Sequence, residues 1–376
     1  MRQGRRFFQD PSFEYAFLIA LGRAYYTSAT IGKVLSLAGE IEDGDFESAY
    51  RAFERAGDEA RALAEGSERR GHRVSAREAC MWAAGYYHSS TGFLDGTDDP
   101  SRFLPTWEAS RACWDRAVTL FDPPGERVRI PYEGTALQGY VFRASDAAGR
   151  RPLLIVNNGS DGPGQGYALW KQGLSFRPDW EKVIAPVVDY ALGRPDVDPK
   201  RIALAGISQG GYWVPRAVAF ERRIAAAVAD PGVVDVSTAW GGHLPPPMKA
   251  LLEAGRKAEF DRFIATSGSR AELATLRFRM RPYGVSSPYD AFKAAEAYNL
   301  RGVAERIECP VLVTDPEGEQ FWPGQSQALY DLVRDPKALV RFTAEEGAGL
   351  HCEPTALGLR DMRIFDWLDE TLGVGA

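Results

Sequence analysis

Apolar positions along this chain follow two rhythms, and the change between them falls near residue 122. Over residues 11–120 they recur three or four apart, as in Tyr50, Phe53, Ala56, Ala60 and Leu63, which lines one stripe of a helix with apolar side chains. The spacing predicts a helical unit of several antiparallel helices. Its aromatic stretch Met81-Trp82-Ala83-Ala84-Gly85-Tyr86-Tyr87-His88 is read as core, and no fixed repeat period runs through the unit. Asp122-Pro123-Pro124-Gly125 then breaks the pattern. Beyond it, residues 126–132 and 135–142 alternate apolar and polar around Glu133-Gly134, which predicts a β-hairpin.

From there the apolar positions come in short continuous runs, at residues 153–156, 202–205, 225–229, 310–314 and 338–342. Such runs suit strands buried on both faces, the condition of a parallel sheet with helices on either side. A helix is predicted over 180–192 and a closing amphipathic helix over 359–372. Between about 237 and 301 the alternation stops, and helical sequence punctuated by Leu244-Pro245-Pro246-Pro247 intervenes, as a lid inserted between strands would read. The fold class is therefore α/β. Its parts are a helical N-terminal cap domain over 1–122, a sheet core over 123–236 and 302–376, and the helical lid over 237–301.

The strand at 202–205 leads straight into Gly206-Ile207-Ser208-Gln209-Gly210-Gly211, and an apolar helical segment follows. G-x-S-x-G between a strand and a helix describes a nucleophile elbow, in which a sharp turn lifts the serine hydroxyl clear of the sheet. A serine hydroxyl needs a base to take its proton, and the base needs a third group to orient it. Of the four histidines, His72, His88 and His243 lie in helical or lid segments, whereas His351 follows the strand at 338–342 and precedes the last helix. His351 is the expected base. The acid is expected in the loop after the strand at 310–314, where Glu319 stands four residues before Pro323; Asp315 and then Asp230 are the alternatives. Oxyanion donors are expected from the N–H of Gln209 and, in the loop Asn157-Asn158-Gly159-Ser160-Asp161-Gly162, from the N–H of Ser160. Tyr212, Trp213 and Trp240 are candidate substrate-binding walls.

Composition narrows the partners. The 376 residues carry a net charge of −6, with no basic stretch beyond short arginine pairs, which argues against nucleic acid or an anionic membrane surface. Cys80, Cys113, Cys309 and Cys352 show no paired or metal-ligand spacing. No apolar run approaches the roughly 20 residues that span a bilayer. A cytoplasmic enzyme is expected, acting on a small molecule without metal or organic cofactor, with a homodimer as the candidate assembly.

These motifs resemble the α/β-hydrolase superfamily from about Glu126 to the C-terminus. With the helical N-terminal unit, Asn157-Asn158-Gly159-Ser160-Asp161-Gly162 and Glu317-Gly318-Glu319-Gln320-Phe321-Trp322-Pro323 look like the group around dihydroxy-pseudo-oxynicotine hydrolase and the fermentation-respiration switch esterases. The resemblance implies a serine hydrolase acting on a carbonyl, with a carbon–carbon bond next to a ketone cleaved in the type enzyme. A carboxylesterase or peptidase of the same fold, and a non-catalytic binding or regulatory protein on the same scaffold, are the rival readings. One stretch departs from the group. Segments similar to Asn-Gly-Ser-Asp-Gly and Asp-Gly-Pro-Gly-Gln-Gly, elsewhere separated by a helix and a strand, are fused here around Gly162-Pro163. One interior strand and its helix are therefore expected to be missing, leaving the hairpin strands to pair differently or to detach.

Overall fold

The computed structural model describes residues 6–159, 163–242, 244–334 and 336–374. They divide into two units. The first holds the chain up to Arg127 together with Tyr140–Asp146 and Ser269–Phe278. Its helices are α1 (Pro11–Gly22), α2 (Ile31–Ala38), α3 (Phe46–Arg69), α4 (Arg73–Thr91) and α5 (Phe103–Leu120). Asp45 starts α3 by accepting the N–H groups of Glu47 and Ser48 at 2.9 and 3.3 Å, donors the helix itself leaves unsatisfied. Helix α4 packs against both α3 and α5. Tyr50, Phe53, Ala56 and Ala60 are buried as their spacing predicts, but the stripe continues through Ala64, and Leu63 is exposed. Helical geometry allows either a three- or a four-residue step, and packing takes the latter. Met81, Ala83, Tyr86 and Tyr87 are core, and the Tyr87 hydroxyl donates to Asp58 at 2.5 Å.

The second unit holds Val128–Gly139, Ala147–Gly268 and Arg279–Ala376. Strands β1 (Glu126–Tyr132) and β2 (Thr135–Val141) form a two-stranded sheet of their own. Strands β3 (Arg151–Asn157), β4 (Val197–Ile207), β5 (Ala226–Asp230), β6 (Val311–Pro316) and β7 (Lys337–Phe342) form a wholly parallel sheet in sequence order. Helices α6 (Pro163–Gln172) and α7 (Glu181–Leu192) join β3 to β4, and α8 (Gly210–Val218) joins β4 to β5. Among the described residues five helices lie between β5 and β6 in the chain: α9 (Thr238–Gly241), α10 (Pro246–Glu253), α11 (Lys257–Ser267), α12 (Arg270–Met280), most of which belongs to the first unit, and α13 (Pro288–Ala295). Then α14 (Gln325–Leu332) joins β6 to β7, and α15 (Leu357–Leu372) closes the chain.

Strand alternation sorts the core. Ile202, Leu204, Ala227, Ala229, Val311 and Val313 face one side with residues of α7, α8 and α14. Ala203, Ala226, Val228 and Leu312 face the other, against Ile364 and Leu368 of α15. Each large apolar side chain so buried contributes about 1.5–3 kcal/mol relative to exposure. The pattern fails at β3. Among the described residues β4 is its one partner in the sheet, β3 is half-buried along its length, and Val156 is 54% exposed. Among the described residues the sheet begins at β3 and the hairpin lies outside it; Gly162 of the fused segment lies outside the described residues. No helix among the described residues is long and apolar enough to cross a membrane.

Candidate active site

Sheet register gathers the chemistry at one edge. Ile207 pairs with Asp230 across β4 and β5, and Ala229 with Val313 across β5 and β6, so the chain leaves three neighbouring strands side by side. Ser208 follows at once, with φ 60°, a left-handed conformation costing a non-glycine residue about 1–2 kcal/mol. The turn is held by the Ser208 N–H donating to Asp230 O at 2.6 Å and the Gly211 N–H donating to Ser208 O at 2.8 Å. It also needs a bare backbone, because a Cβ on Gly206 would lie 2.1 Å from Gly210 O. The loop after β3 presses on the same turn: a Cβ on Gly159 would stand 2.5 Å from the Ser208 Cβ. Gly159 belongs to the loop expected to supply the second oxyanion donor, but its contact with Ser208, 49 residues away along the chain, has no local signal.

His351 and Glu319 come to this turn from two loops. The Ser208 Oγ lies 2.9 Å from His351 Nε2, and His351 Nδ1 lies 2.7 Å from Glu319 Oε2. Both side chains are buried. Glu319 Oε1 accepts the N–H groups of Phe321 and Trp322 at 2.8 and 3.0 Å, and the Gln320 side chain accepts the His351 N–H at 3.2 Å. Burial by itself would raise the Glu319 carboxyl, but the His351 contact and these two backbone donors outweigh it and hold it below the usual carboxylate range. Phe321 meets the His351 ring edge-on at 4.7 Å between centroids, and Trp322 lies at 5.7 Å.

The other two acid candidates are engaged elsewhere. Asp315 pairs with Arg341 at 3.4 Å, and burial raises its carboxyl despite that cation. Asp230 accepts from the Thr314 hydroxyl at 2.8 Å. Of the oxyanion candidates, the Gln209 N–H stands at the start of α8, where the helix leaves donors free; Ser160 lies outside the described residues. The Gln209 side chain donates to the Tyr283 hydroxyl at 3.3 Å, and Tyr283 meets Trp240 edge-on at 5.5 Å. Trp240 therefore belongs to an aromatic group around Gln209, with Tyr283 as a member that no motif announced.

Tyr212 and Trp213 need correction as binding walls. Both are fully buried. Trp213 stacks on Trp180 at 4.2 Å, and the Tyr212 hydroxyl donates to Pro178 O at 2.9 Å. Helix α8 turns these residues onto the sheet, so they support the elbow from within the core. An apolar groove elsewhere in this unit is lined by Tyr132, Leu137, Leu169, Phe176 and Val183, among others, and includes none of Ser208, His351 and Glu319.

Comparison with known proteins agrees with this architecture. Residues 152–261 match the prolyl oligopeptidase family. The α/β hydrolase psoB of Aspergillus fumigatus is 30% identical over 426 aligned positions, covering 98% of this chain and 95% of that protein. The hydrolase LUC6 of a Fusarium species is 29% identical over 416 positions, covering 98% of each. Because the chain has 376 residues, the LUC6 alignment contains at least 40 positions with no counterpart here, enough for a helix, a strand and their loops at roughly 30 residues for a βαβ unit. The crystal structure of 2,6-dihydroxy-pseudo-oxynicotine hydrolase superposes with a TM-score of 0.73 at 20% identity, covering 94% of this chain and 96% of that one, which shows the fold. On its parallel sheet and its full-length likeness to psoB, the chain belongs to the α/β-hydrolase family of enzymes.

Proposed function

We propose that the protein is a serine hydrolase in which Ser208 attacks the carbonyl carbon of a small organic substrate. The observation that carries this reading is the unbroken line from Ser208 Oγ through His351 to Glu319, at 2.9 and 2.7 Å, on a left-handed serine turn. As Oγ bonds to the carbonyl carbon, its proton passes to His351 Nε2, and Glu319 holds Nδ1–H and stabilises the imidazolium. The N–H of Gln209, with that of Ser160 as second donor, receives the charge on the carbonyl oxygen. Collapse breaks the bond to the leaving group, which takes the proton from His351. Water activated by the same histidine then releases the acyl group from Ser208.

For the substrate we propose a ketone-bearing, partly aromatic molecule, supported by the rings of Phe321 and Trp322 beside His351 and by the likeness to 2,6-dihydroxy-pseudo-oxynicotine hydrolase. Ester cleavage is the second reading, because the same three groups serve it. No metal or organic cofactor has a part in these steps, and we place the reaction in the cytoplasm. A fluorophosphonate probe tests the nucleophile: labelling of the folded protein that vanishes in Ser208→Ala is expected, and an unlabelled folded wild type would refute it in favour of a non-catalytic scaffold. Product analysis on a panel of diketones and esters then separates carbon–carbon from ester cleavage.

A further inference from the structure

Directly behind the elbow lies a group of ionisable side chains that the proposed reaction does not use. Asp230, at the end of β5, and Glu353, two residues after His351, are 1% and 0% exposed. Asp230 ties the two catalytic turns together through its backbone. Its carbonyl accepts the Ser208 N–H at 2.6 Å and faces the Cys352 thiol at 3.5 Å. Cys352 and Glu353 both take left-handed backbone conformations, with φ 57° and 46°, so the chain after His351 is bent sharply enough to aim Glu353 inward. Strain of this kind persists only where the surroundings enforce it.

The charges there do not balance. Among the described residues one guanidinium, that of Arg360 on α15, serves the cluster, 3.6 Å from Asp230 Oδ2, and it also bonds Asp361 at 3.0 Å. Thr314 satisfies Asp230 Oδ1 at 2.8 Å. Asp230 Oδ2 and both oxygens of Glu353 have no hydrogen-bond donor among the described residues. Two ionised carboxylates, buried side by side with three oxygens undonated, would carry a large desolvation and repulsion cost. A single proton removes it. A neutral Glu353 donates its O–H to Asp230 and leaves one negative charge facing Arg360.

We propose that Glu353 is a positioning residue, sharing one proton with Asp230 and so clamping the turn that carries His351 to the turn that carries Ser208. The groups facing Glu353 agree with this. Burial, then the charge of Asp230 and the hydrogen bond to it, push the Glu353 carboxyl well above its ordinary value, with Glu319 adding to the effect and Arg360 opposing it. The Cys352 thiol is pushed up by burial and the same carboxylates, so it stays neutral beside them. The folded state thus binds a proton that the unfolded chain gives up. This part of stability is present below the usual carboxylate value and is lost as pH rises through the raised one.

The catalytic half of this proposal rests on Ser208 being the nucleophile, and the experiment separates the two. Infrared difference spectra of wild type against Glu353→Gln at pH 7 read the proton directly, and the rate of fluorophosphonate labelling from pH 6 to 10 reads the positioning. A protonated-carboxyl band present in wild type and lost in Glu353→Gln is expected. Glu353→Ala, which leaves Asp230 without its donor, should label about tenfold or more slowly, and Glu353→Gln, which restores a donor of the same shape, should recover most of that loss. At alkaline pH the wild-type rate should fall while that of Glu353→Gln holds. Absence of the band overturns the proposal, as do superimposable pH profiles or a glutamine variant as slow as alanine. If Glu353→Ala does not fold, the band and the glutamine profile decide. A wild type that shows the band but never labels sinks the serine reading and the positioning role with it, while the shared proton stands.

Discussion

The centre of the parallel sheet and its β3 edge are built from similar apolar runs, yet they are held very differently. Strands β4, β5 and β6 have partners on both sides; β5, nearly all of β6 and residues 202–204 of β4 are buried, while residues 198–201 of β4 are not. Strand β3 has a partner on one side in the sheet and is half-buried, while the hairpin forms a sheet of its own. The groups around Ser208 hang mainly on the centre. Ser208, Asp230 and Glu319 follow or end β4, β5 and β6, Thr314 lies within β6 and His351 follows β7, while the segment 157–159 comes from the β3 edge. An alteration at the edge can therefore leave the hydrogen bonds from Ser208 to His351 and Glu319 in place while loosening the side of the turn that Gly159 presses on.

The largest effect that would break this contrast is chemical. Ser208→Ala should lower turnover on the order of 10⁴-fold or more, with the melting temperature near that of wild type; retained turnover would move the chemistry away from the centre. Glu319→Gln should cost roughly 10³- to 10⁴-fold, because a neutral amide no longer selects the Nδ1–H tautomer of His351. The same carboxyl gives an acid limb. Its folded value is depressed, so its contribution to stability is present above the usual carboxylate value and lost as pH falls through the folded one. Thermal midpoints measured from pH 7 down to 3 should fall less steeply for Glu319→Gln than for wild type.

At the edge, Gly159→Ala should slow labelling of Ser208 by about 10²-fold, as expected when a reacting group is displaced by about 1 Å, and should destabilise by about 1–3 kcal/mol, because the added Cβ meets Ser208 Cβ and Ile207 O. Smaller apolar truncations compare the two regions directly. Leu204→Ala, in the fully buried centre, should destabilise by about 2–5 kcal/mol in denaturant unfolding. Val156→Ala, at an exposed position on β3, should stay within about 0.5 kcal/mol. Equal costs would show that β3 is covered in solution.

Much of this was legible in the chain. The seven strands lie close to where the apolar runs and the alternating hairpin put them, because strand patterning is local. Ser208 was legible because the elbow is a contiguous strand-turn-helix signal. His351 and Glu319 followed from chain order, with Asp315 and Asp230 left open. Register and loop closure separated those three, since Asp315 turns to Arg341 and Asp230 turns to Thr314 and Arg360. Tyr212 and Trp213 were misjudged because aromatic residues beside a nucleophile read alike whether their helix faces the site or the sheet. Tyr283 and Glu353 carry no local signal, and Gly159, though part of the expected oxyanion loop, shows no local sign of its contact with Ser208, for each owes its place to a neighbour tens to hundreds of residues away.

By itself, then, the sequence determined the order of elements and the sharp turn at Ser208, which depend on spacing along one stretch of chain, and it offered His351 with three carboxylates as candidate partners. The tertiary structure alone decided which acid meets His351, that Trp213 is core, that the hairpin stands apart from the sheet, and that Glu353 is fully buried. Those outcomes depend on register and on the exclusion of water by distant segments, and neither is written in any single window of residues.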